Sequence, residues 1–380
     1  MKGGFAVLKQ WLKRKKEKQS AQEKLYMSTQ WQLMIRKFRR HKLAQAGLAV
    51  LVILYTIVLF SEFFAIQDFT RRETKHILHQ PMAIHFFHEG KFIGPFVYTY
   101  DRGNNPVTLQ RTYTENKAGV HPLGLFQKGD SYKLWGLISW DVHFIGTVDG
   151  AAFYPFGTDD SGRCLFSRTM QGLRLSLPVG LVGVFFTFIL GCVLGGVSGF
   201  YGGMADIIIQ RVIEFLSSMP SIPLWMALAA AMPKEWTTVQ VYFAITIILS
   251  LIGWCSLART VRGKILQMRG EDYVTAAKLS GASDWYVIVR HLLPGFGSYL
   301  IVSITLSVPG MILGETALSF LGIGLRSPAV SLGVLLKDAQ NISAIATSPW
   351  LMIPGLFIVI TVMAFNFLGD GLRDAADPYK

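Results

Sequence analysis

Six stretches of about 20 apolar residues constrain this chain more than any other feature in it. They run over roughly 43–64, 173–199, 208–232, 239–257, 299–321 and 350–369. A hydrocarbon core about 30 Å thick takes about 20 residues of helix, and a lipid-facing backbone must satisfy its own hydrogen bonds. Six such runs predict an all-α polytopic membrane protein with six transmembrane helices. The balance agrees: 51% of the 380 residues are hydrophobic and only 16% are charged, which is too apolar for a soluble domain.

Orientation follows from where the cations sit. The net charge is +13, and residues 1–42 hold 13 Lys or Arg against Glu17 and Glu23, so +11 of it lies ahead of the first span. Nucleic-acid binding is the naive reading of a basic tail, but its position directly before a span argues for membrane anchoring and orientation. Between spans four and five, Arg259, Arg262, Lys264, Arg269, Lys278 and Arg290 form a second basic cluster. Both segments therefore face the cytoplasm, as do the turn at Gly202-Gly203 and the C-terminus. The first span starts near Leu43, is too long for a signal-peptide core and lacks a small-residue cleavage site, so it reads as a retained helix.

The chain divides accordingly. A basic cytoplasmic segment (1–42) leads into helix one (43–66). An extracytoplasmic insertion follows (67–168), then a five-helix core (169–372) that includes a cytoplasmic loop (271–294), and a short cytoplasmic tail (373–380). The insertion mixes charged stretches with aromatic and Gly-rich ones, as in Trp135-Gly136-Leu137-Ile138-Ser139-Trp140. It reads as a small folded unit of irregular structure or short strands, either meeting a soluble partner outside or capping the membrane domain. The glycines of span two, among them Gly191, Gly195 and Gly199, are spaced for close helix approach.

The cytoplasmic loop is the most distinctive segment. Residues 271–280 suit a short surface helix, with the helix-favouring Ala276 and Ala277 small enough for another protein to come close. Gly281 suits a left-handed cap and Ser283 an N-cap for a second helix over 284–292, with Asp284 at its positive end. Pro294 then redirects the chain before span five. The product is a compact helix-turn-helix knob.

These residues resemble the inner-membrane permeases of ATP-binding-cassette importers, and among them the second permease of the dipeptide, oligopeptide and nickel group. The resemblance rests on Tyr273-Val274-Thr275-Ala276-Ala277-Lys278-Leu279-Ser280-Gly281 and the closing Leu293-Pro294, with Thr275 where the wider family often has Glu. Three further segments agree. Gly157-Thr158-Asp159-Asp160-Ser161-Gly162-Arg163 precedes span two, with Cys164 in place of the usual Asp. Gly199-Phe200-Tyr201-Gly202-Gly203, followed by Asp206, matches the turn after it. Ser319-Phe320-Leu321-Gly322-Ile323-Gly324 with Pro328 closes span five, with Leu332 in place of the usual Trp before Gly333. The match covers 156–378 strongly and 30–66 loosely. The long outward insertion is similar to that of the microcin- and oligopeptide-type members.

The resemblance implies the type I importer architecture in a bacterial inner membrane. It implies a second permease beside this chain, two cytoplasmic ATPase subunits below and an extracytoplasmic substrate-binding protein. No cofactor is implied on this chain, since ATP and Mg belong to the partner subunits. The knob would enter a groove on an ATPase. Glu271, Asp272 and Lys278 are expected at its ionic edge, and Tyr273 and Leu279 in its apolar part, with Thr275, Ala276, Ala277 and Gly281 shaping the contact. Asp placed at Ala277 is expected to block docking and spare membrane insertion.

Other residues invite separate readings. Glu315 lies inside span five, where an ionisable group is costly unless paired or wetted. It sits close enough to the outer end to reach water or a neighbouring span, and its role is structural or gating, contact with the transported molecule, or coupling to a proton or ion. Pro220, Pro223, Pro309 and Gly310 free backbone carbonyls within spans, which shapes a path, permits a hinge or simply serves packing. Asp159 and Arg163 flank Gly162 and either clip the insertion to span two or meet a binding protein. Cys164, Cys192 and Cys255 show no metal or disulfide pattern. His76, His79, His85 and His88 cluster in the insertion, where metal binding is a minor alternative.

There is no phosphate-binding nucleotide loop, zinc-protease helix or nucleophile elbow, so ATP hydrolysis belongs elsewhere. A secondary transporter is the principal rival reading. It would favour paired acids near midplane and broken helices repeated in two halves, and Glu315 alone with no repeat argues against it. An intramembrane enzyme would need converging catalytic groups, and none stands out. Short peptides or peptide-like compounds are the expected cargo, although selection resting in the binding protein leaves this chain little to say about it.

Overall fold

The computed structural model describes residues 30–104, 106, 111–233, 235–326, 328–340 and 346–377. The first 29 residues of the basic segment and the last three of the tail lie outside them.

A short helix α1 (Gln30–Phe38) leads into α2 (Lys42–Leu59), whose first turn is capped by the His41 ring accepting from Ala44 N–H at 3.1 Å. A single turn, α3 (Ser61–Phe64), ends the first span. The membrane core continues with α4 (Leu165–Tyr201), α5 (Gly203–Ser218), α6 (Ser221–Ala230) and α7 (Thr238–Met268). Then come α8 (Asp272–Leu279), α9 (Asp284–Val287), α10 (Gly297–Phe320), α11 (Leu332–Asp338) and α12 (Ile353–Ala376). Five helices among the described residues are long and apolar enough to cross a membrane, and a sixth crossing exists if α5 and α6 count as one.

That pair corrects the expected third span. α5 and α6 meet at 90° instead of forming one rod over 208–232. The cause is local. A residue ahead of proline is pushed out of the helical region, and Met219 accordingly has φ −90 and ψ 137 before Pro220. Pro220 becomes the N-cap of α6, and Pro223 sits in its first turn, where a missing N–H costs nothing. Two other limits also move. α4 begins eight residues before the apolar run, and α7 continues to Met268, so Arg259, Arg262 and Lys264 lie on a helix and not in a loop. Charge ends an apolar run without ending a helix.

Packing within the membrane core centres on α4 and α7. A Cβ on Gly195 would stand 2.6 Å from the Ala258 carbonyl oxygen, and one on Gly199 would stand 2.8 Å from that of Arg262. Gly191 meets Leu257 in the same way. This glycine row brings the two backbones together, as its spacing predicts. α10 crosses the same helix at Gly180, against Val308 and Ile312. It runs unbroken through Pro309 and Gly310, with Pro309 buried and Gly310 exposed, so no break occurs there.

The insertion departs from all-α. It holds one four-stranded antiparallel sheet in the order β1 (His85–His88), β2 (Lys91–Asn104), β3 (Arg111–Leu134), β4 (Ile138–Thr147). Only β1 is short: β3 has 24 residues, pairing β2 through its first half and β4 through its second. Register anchors are Val97 against His121 and Leu134 against Ile138. Its core gathers Met82, Val97, Tyr113, Phe153 and Tyr154.

Candidate functional site

The expected knob forms from α8 and α9. Glu271 is the N-cap of α8 and Asp272 its first residue, both exposed, and the acids sit at the positive end of the helix. Gly281 has φ +84 and ends the helix, and its N–H bonds the Lys278 carbonyl at 2.9 Å. Ser283 Oγ accepts from Tyr286 N–H at 3.3 Å, capping α9. The run then widens into one π turn, Ile288–Leu292, before Leu293-Pro294. Leu293 N–H reaches back to the Ile288 carbonyl, so the wide turn admits Pro294 within a helical run. The chain turns at Phe296 (φ −124), not at Pro294.

α8 has two faces. Val274 is fully buried and Ala277 is half-buried against the core formed by Val261, Ile265, Val287 and Ile288. Tyr273, Thr275, Ala276 and Leu279 are exposed, Leu279 at 85%. The two alanines therefore differ: Ala276 offers an open backbone, while Ala277 packs inward. Asp at Ala277 would disturb the knob itself, so it does not isolate docking. Lys278 is exposed but its side chain reaches back to α4 and α9. Its ammonium lies 4.3 Å from the centre of the Phe200 ring and 3.9 Å from Asp284 Oδ1.

Charged side chains fasten the end of α7, from which the knob projects, to α4 and α5. Arg269 Nη1 donates to the carbonyls of Gly199 and Phe200, both at 3.3 Å, closing the C-terminus of α4. Arg262 grips Asp206 at two points, Nε to Oδ1 and Nη2 to Oδ2, each 2.6 Å, and Ser198 Oγ donates to the same carboxylate at 2.5 Å. Sequence reading counted Arg262 and Arg269 only as cations. Their partners lie 56 and about 70 residues away, and no local signal reveals such pairs.

At the outer end, Asp159 is 1% exposed and pairs with Arg163 Nε at 2.7 Å and with Arg168, itself 3% exposed. Arg168 also reaches Asp338 of α11 at 3.2 Å. Burial pushes the Asp338 carboxyl above its usual range, and Arg168 opposes that shift. Arg168 and Asp338 had no place in the sequence reading. Glu315 lies nearby, fully buried and away from water. It accepts from Ser176 Oγ of α4 at 3.0 Å and from Ser319 Oγ at 2.8 Å. Those hydroxyls in turn accept from Leu332 and Leu325 N–H, both at 3.1 Å. The carboxylate thus ties α4, α10 and the loop into α11 together.

The remaining candidates do not converge. Pro220 and Pro223 are exposed on this chain's surface. Among the described residues no group of three His, Cys, Asp or Glu is placed to hold a metal. His79 is buried between Tyr100 and Tyr113, ring centres 4.8 and 4.3 Å away, and burial pushes it down to about 4. His85 faces Glu115, and His88 faces the Tyr98 hydroxyl. The three cysteines are buried and free.

The architecture defines a polytopic membrane subunit with a folded helical knob and an extracytoplasmic sheet. Residues 187–379, half of the chain, match the family described as the binding-protein-dependent transport system inner membrane component. Residues 29–81 match the N-terminal TM domain of oligopeptide transport permease C. The chain belongs to the first of these families and is a permease subunit of an ATP-binding-cassette importer, a class whose ATPase activity resides on separate subunits. It is 41% identical over 230 residues to the dipeptide transport system permease DppC of Bacillus subtilis, covering 60% of this chain and 69% of that one. It is likewise 41% identical to OppC, the oligopeptide permease of Haemophilus influenzae, over 61% of this chain and 72% of that protein. A DppC from Lactococcus lactis is 32% identical across 90% of this chain and 89% of its own length, a stretch that includes the insertion.

Proposed function

We propose that this chain forms one half of the translocation path of an importer for short peptides or peptide-like compounds, paired with a second permease. Two ATPases bind on the cytoplasmic side, and a substrate-binding protein delivers cargo from outside to a chain whose termini both face the cytoplasm. The named relatives are dipeptide and oligopeptide permeases, which supports the cargo class. The observation that carries the docking role is the exposed Tyr273–Ala276–Leu279 face of α8, on a helix otherwise fastened to α4 and α7.

ATP-driven closure of the ATPases would move this face, and the Arg269, Lys278 and Phe200 contacts would carry the motion into α4. Glu271 and Asp272 supply its acidic edge. Glu315 serves the outer part of α10, Pro309 and Gly310 its middle, Pro220 and Pro223 the bend between α5 and α6, and Asp159 with Arg163 the clip between insertion and membrane core.

The test is purification of the chain from its native membrane in mild detergent, with mass spectrometry of its companions. A second permease and ATPases at near-stoichiometric levels are expected, with peptide-stimulated ATP hydrolysis once the binding protein is added. Ala276→Asp should remove the ATPases while leaving the amount of chain in the membrane unchanged. An intact chain that captures no ATPase even after crosslinking would sink the proposal.

A further inference from the structure

Strand β4 wears its apolar face outward. Its sequence alternates, with Ile138, Trp140, Val142 and Phe144 on one face and Ser139, Asp141, His143 on the other. In a half-buried strand the apolar set faces the core. Here His143 is buried, its ring nitrogens bonded to the Ala65 and Asp130 carbonyls, while Ile138, Trp140 and Phe144 are exposed. The hairpin tip beside them carries Leu137, 83% exposed. An apolar strand face left open in this way requires a cover.

The position of the face says what covers it. Trp135 Nε1 donates to the Leu59 carbonyl at 2.7 Å, the last residue of the membrane-spanning α2. The hairpin tip is therefore held at the depth where that helix leaves the hydrocarbon, the level at which tryptophan gathers in membrane proteins. Phe63, just beyond α2, continues the surface, with ring centres 6.4 Å from Trp140 and 5.9 Å from Phe144. α2 is also the least covered of the five long straight spans, with 22% of its apolar window buried against 33% or more in the other four, which leaves an apolar side open. The strand face continues that open apolar surface. The turn itself is unusual: Trp135 has φ 54, a left-handed value that favours Gly or Asn, followed by Gly136 at φ 74. That backbone aims the indole at the end of α2.

We propose that the β3–β4 hairpin is seated in the extracytoplasmic leaflet, at the boundary between headgroups and acyl chains, with the Ile138–Trp140–Phe144 face and Leu137 in contact with lipid. The insertion is then anchored beside the span it follows, and the sheet stands at a fixed angle to the membrane.

The test places a nitroxide label at Leu137→Cys in the full chain, purified with its companion subunits into nanodiscs of phosphatidylethanolamine and phosphatidylglycerol. The native cysteines of this chain are buried, and the unsubstituted complex gives the blank. Collision rates are read by power saturation with oxygen, which concentrates in lipid, and with a nickel chelate, which stays in water. The label at 137 is expected to meet oxygen several-fold more than nickel, with the reverse at Lys117→Cys on the distal part of β3. Nickel excess at 137 would show an open aqueous surface and overturn the proposal. Suppressed collisions with both reagents would show a protein cover and overturn it equally. Ile138→Cys, on the same face, gives the same reading if the first variant assembles poorly.

Discussion

At the outer end of the bundle, Asp159, Arg168 and Glu315 are almost wholly withdrawn from water, and each is held by hydrogen bonds from neighbouring elements. At the knob, Tyr273, Leu279 and Trp285 stand in the open, while Arg262 and Arg269 behind them tie the end of α7 to α5 and α4. A buried ion stripped of its partner is expensive, and these buried charges find their partners within this one chain. Exposed apolar residues on a fixed helix are only complete when something else covers them. The two ends thus separate holding the fold together from meeting a partner, and substitutions at each should fail in different ways.

The largest effect is expected from Asp159→Ala, which leaves buried Arg168 with Asp338 alone and should cost about 3–5 kcal/mol. It would appear as a lower melting temperature in nanodiscs, and unchanged melting would erase the contrast between the ends. Next is acid. His79, pushed down to about 4 by burial, stays neutral in the fold, whereas its unfolded form takes up a proton near 6.5. The unfolded state then holds more protons across that window. Stability is full above pH 6.5 and falls as the pH drops toward 4, by about 3 kcal/mol. His76, also pushed down by burial, acts in the same direction. Hydrogen exchange in the strands at pH 7 and 4.5 measures this, and His79→Gln should flatten the difference.

A smaller loss, about 1–3 kcal/mol, is expected for Gly195→Val, whose side chain meets the Ala258 carbonyl. Urea melts of the reconstituted chain would read it. The smallest is Leu279→Ser, within about 0.5 kcal/mol of the parent in stability. It should nevertheless lower the recovery of ATPase subunits, and a Leu279→Ser chain that melts early would place the knob on the structural side of the comparison.

Hydropathy located the five long apolar helices found among the described residues, because about 20 apolar residues in lipid leave the backbone few choices. It failed at Met219, where a preceding-proline effect overrode an apolar run, and at Met268, where helix outlasted hydrophobicity. Gly281 and Ser283 were legible because capping is local. The inward turn of Ala277 was also within reach, since Val274 lies three residues before it on the same face. The sheet was harder. β4 alternates visibly, but β3 is interrupted by Gly119, Gly124 and Gly129, and its two halves serve different neighbours. Asp159 with Arg168, and Asp206 with Arg262, depend on how helices cross, which no stretch of sequence encodes by itself.

α7 is 31 residues long without a proline, with the knob joined to its cytoplasmic end. At a rise of about 1.5 Å per residue it is a rod of about 46 Å, longer than the hydrocarbon core is thick. Turning such a rod by about 10° around its midpoint carries each end sideways by about 4 Å. Because the glycine row lays α4 directly along it, a tilt of one helix would carry the other with it. A push of a few ångströms at the knob would then arrive, reversed in direction, at the far end of the rod.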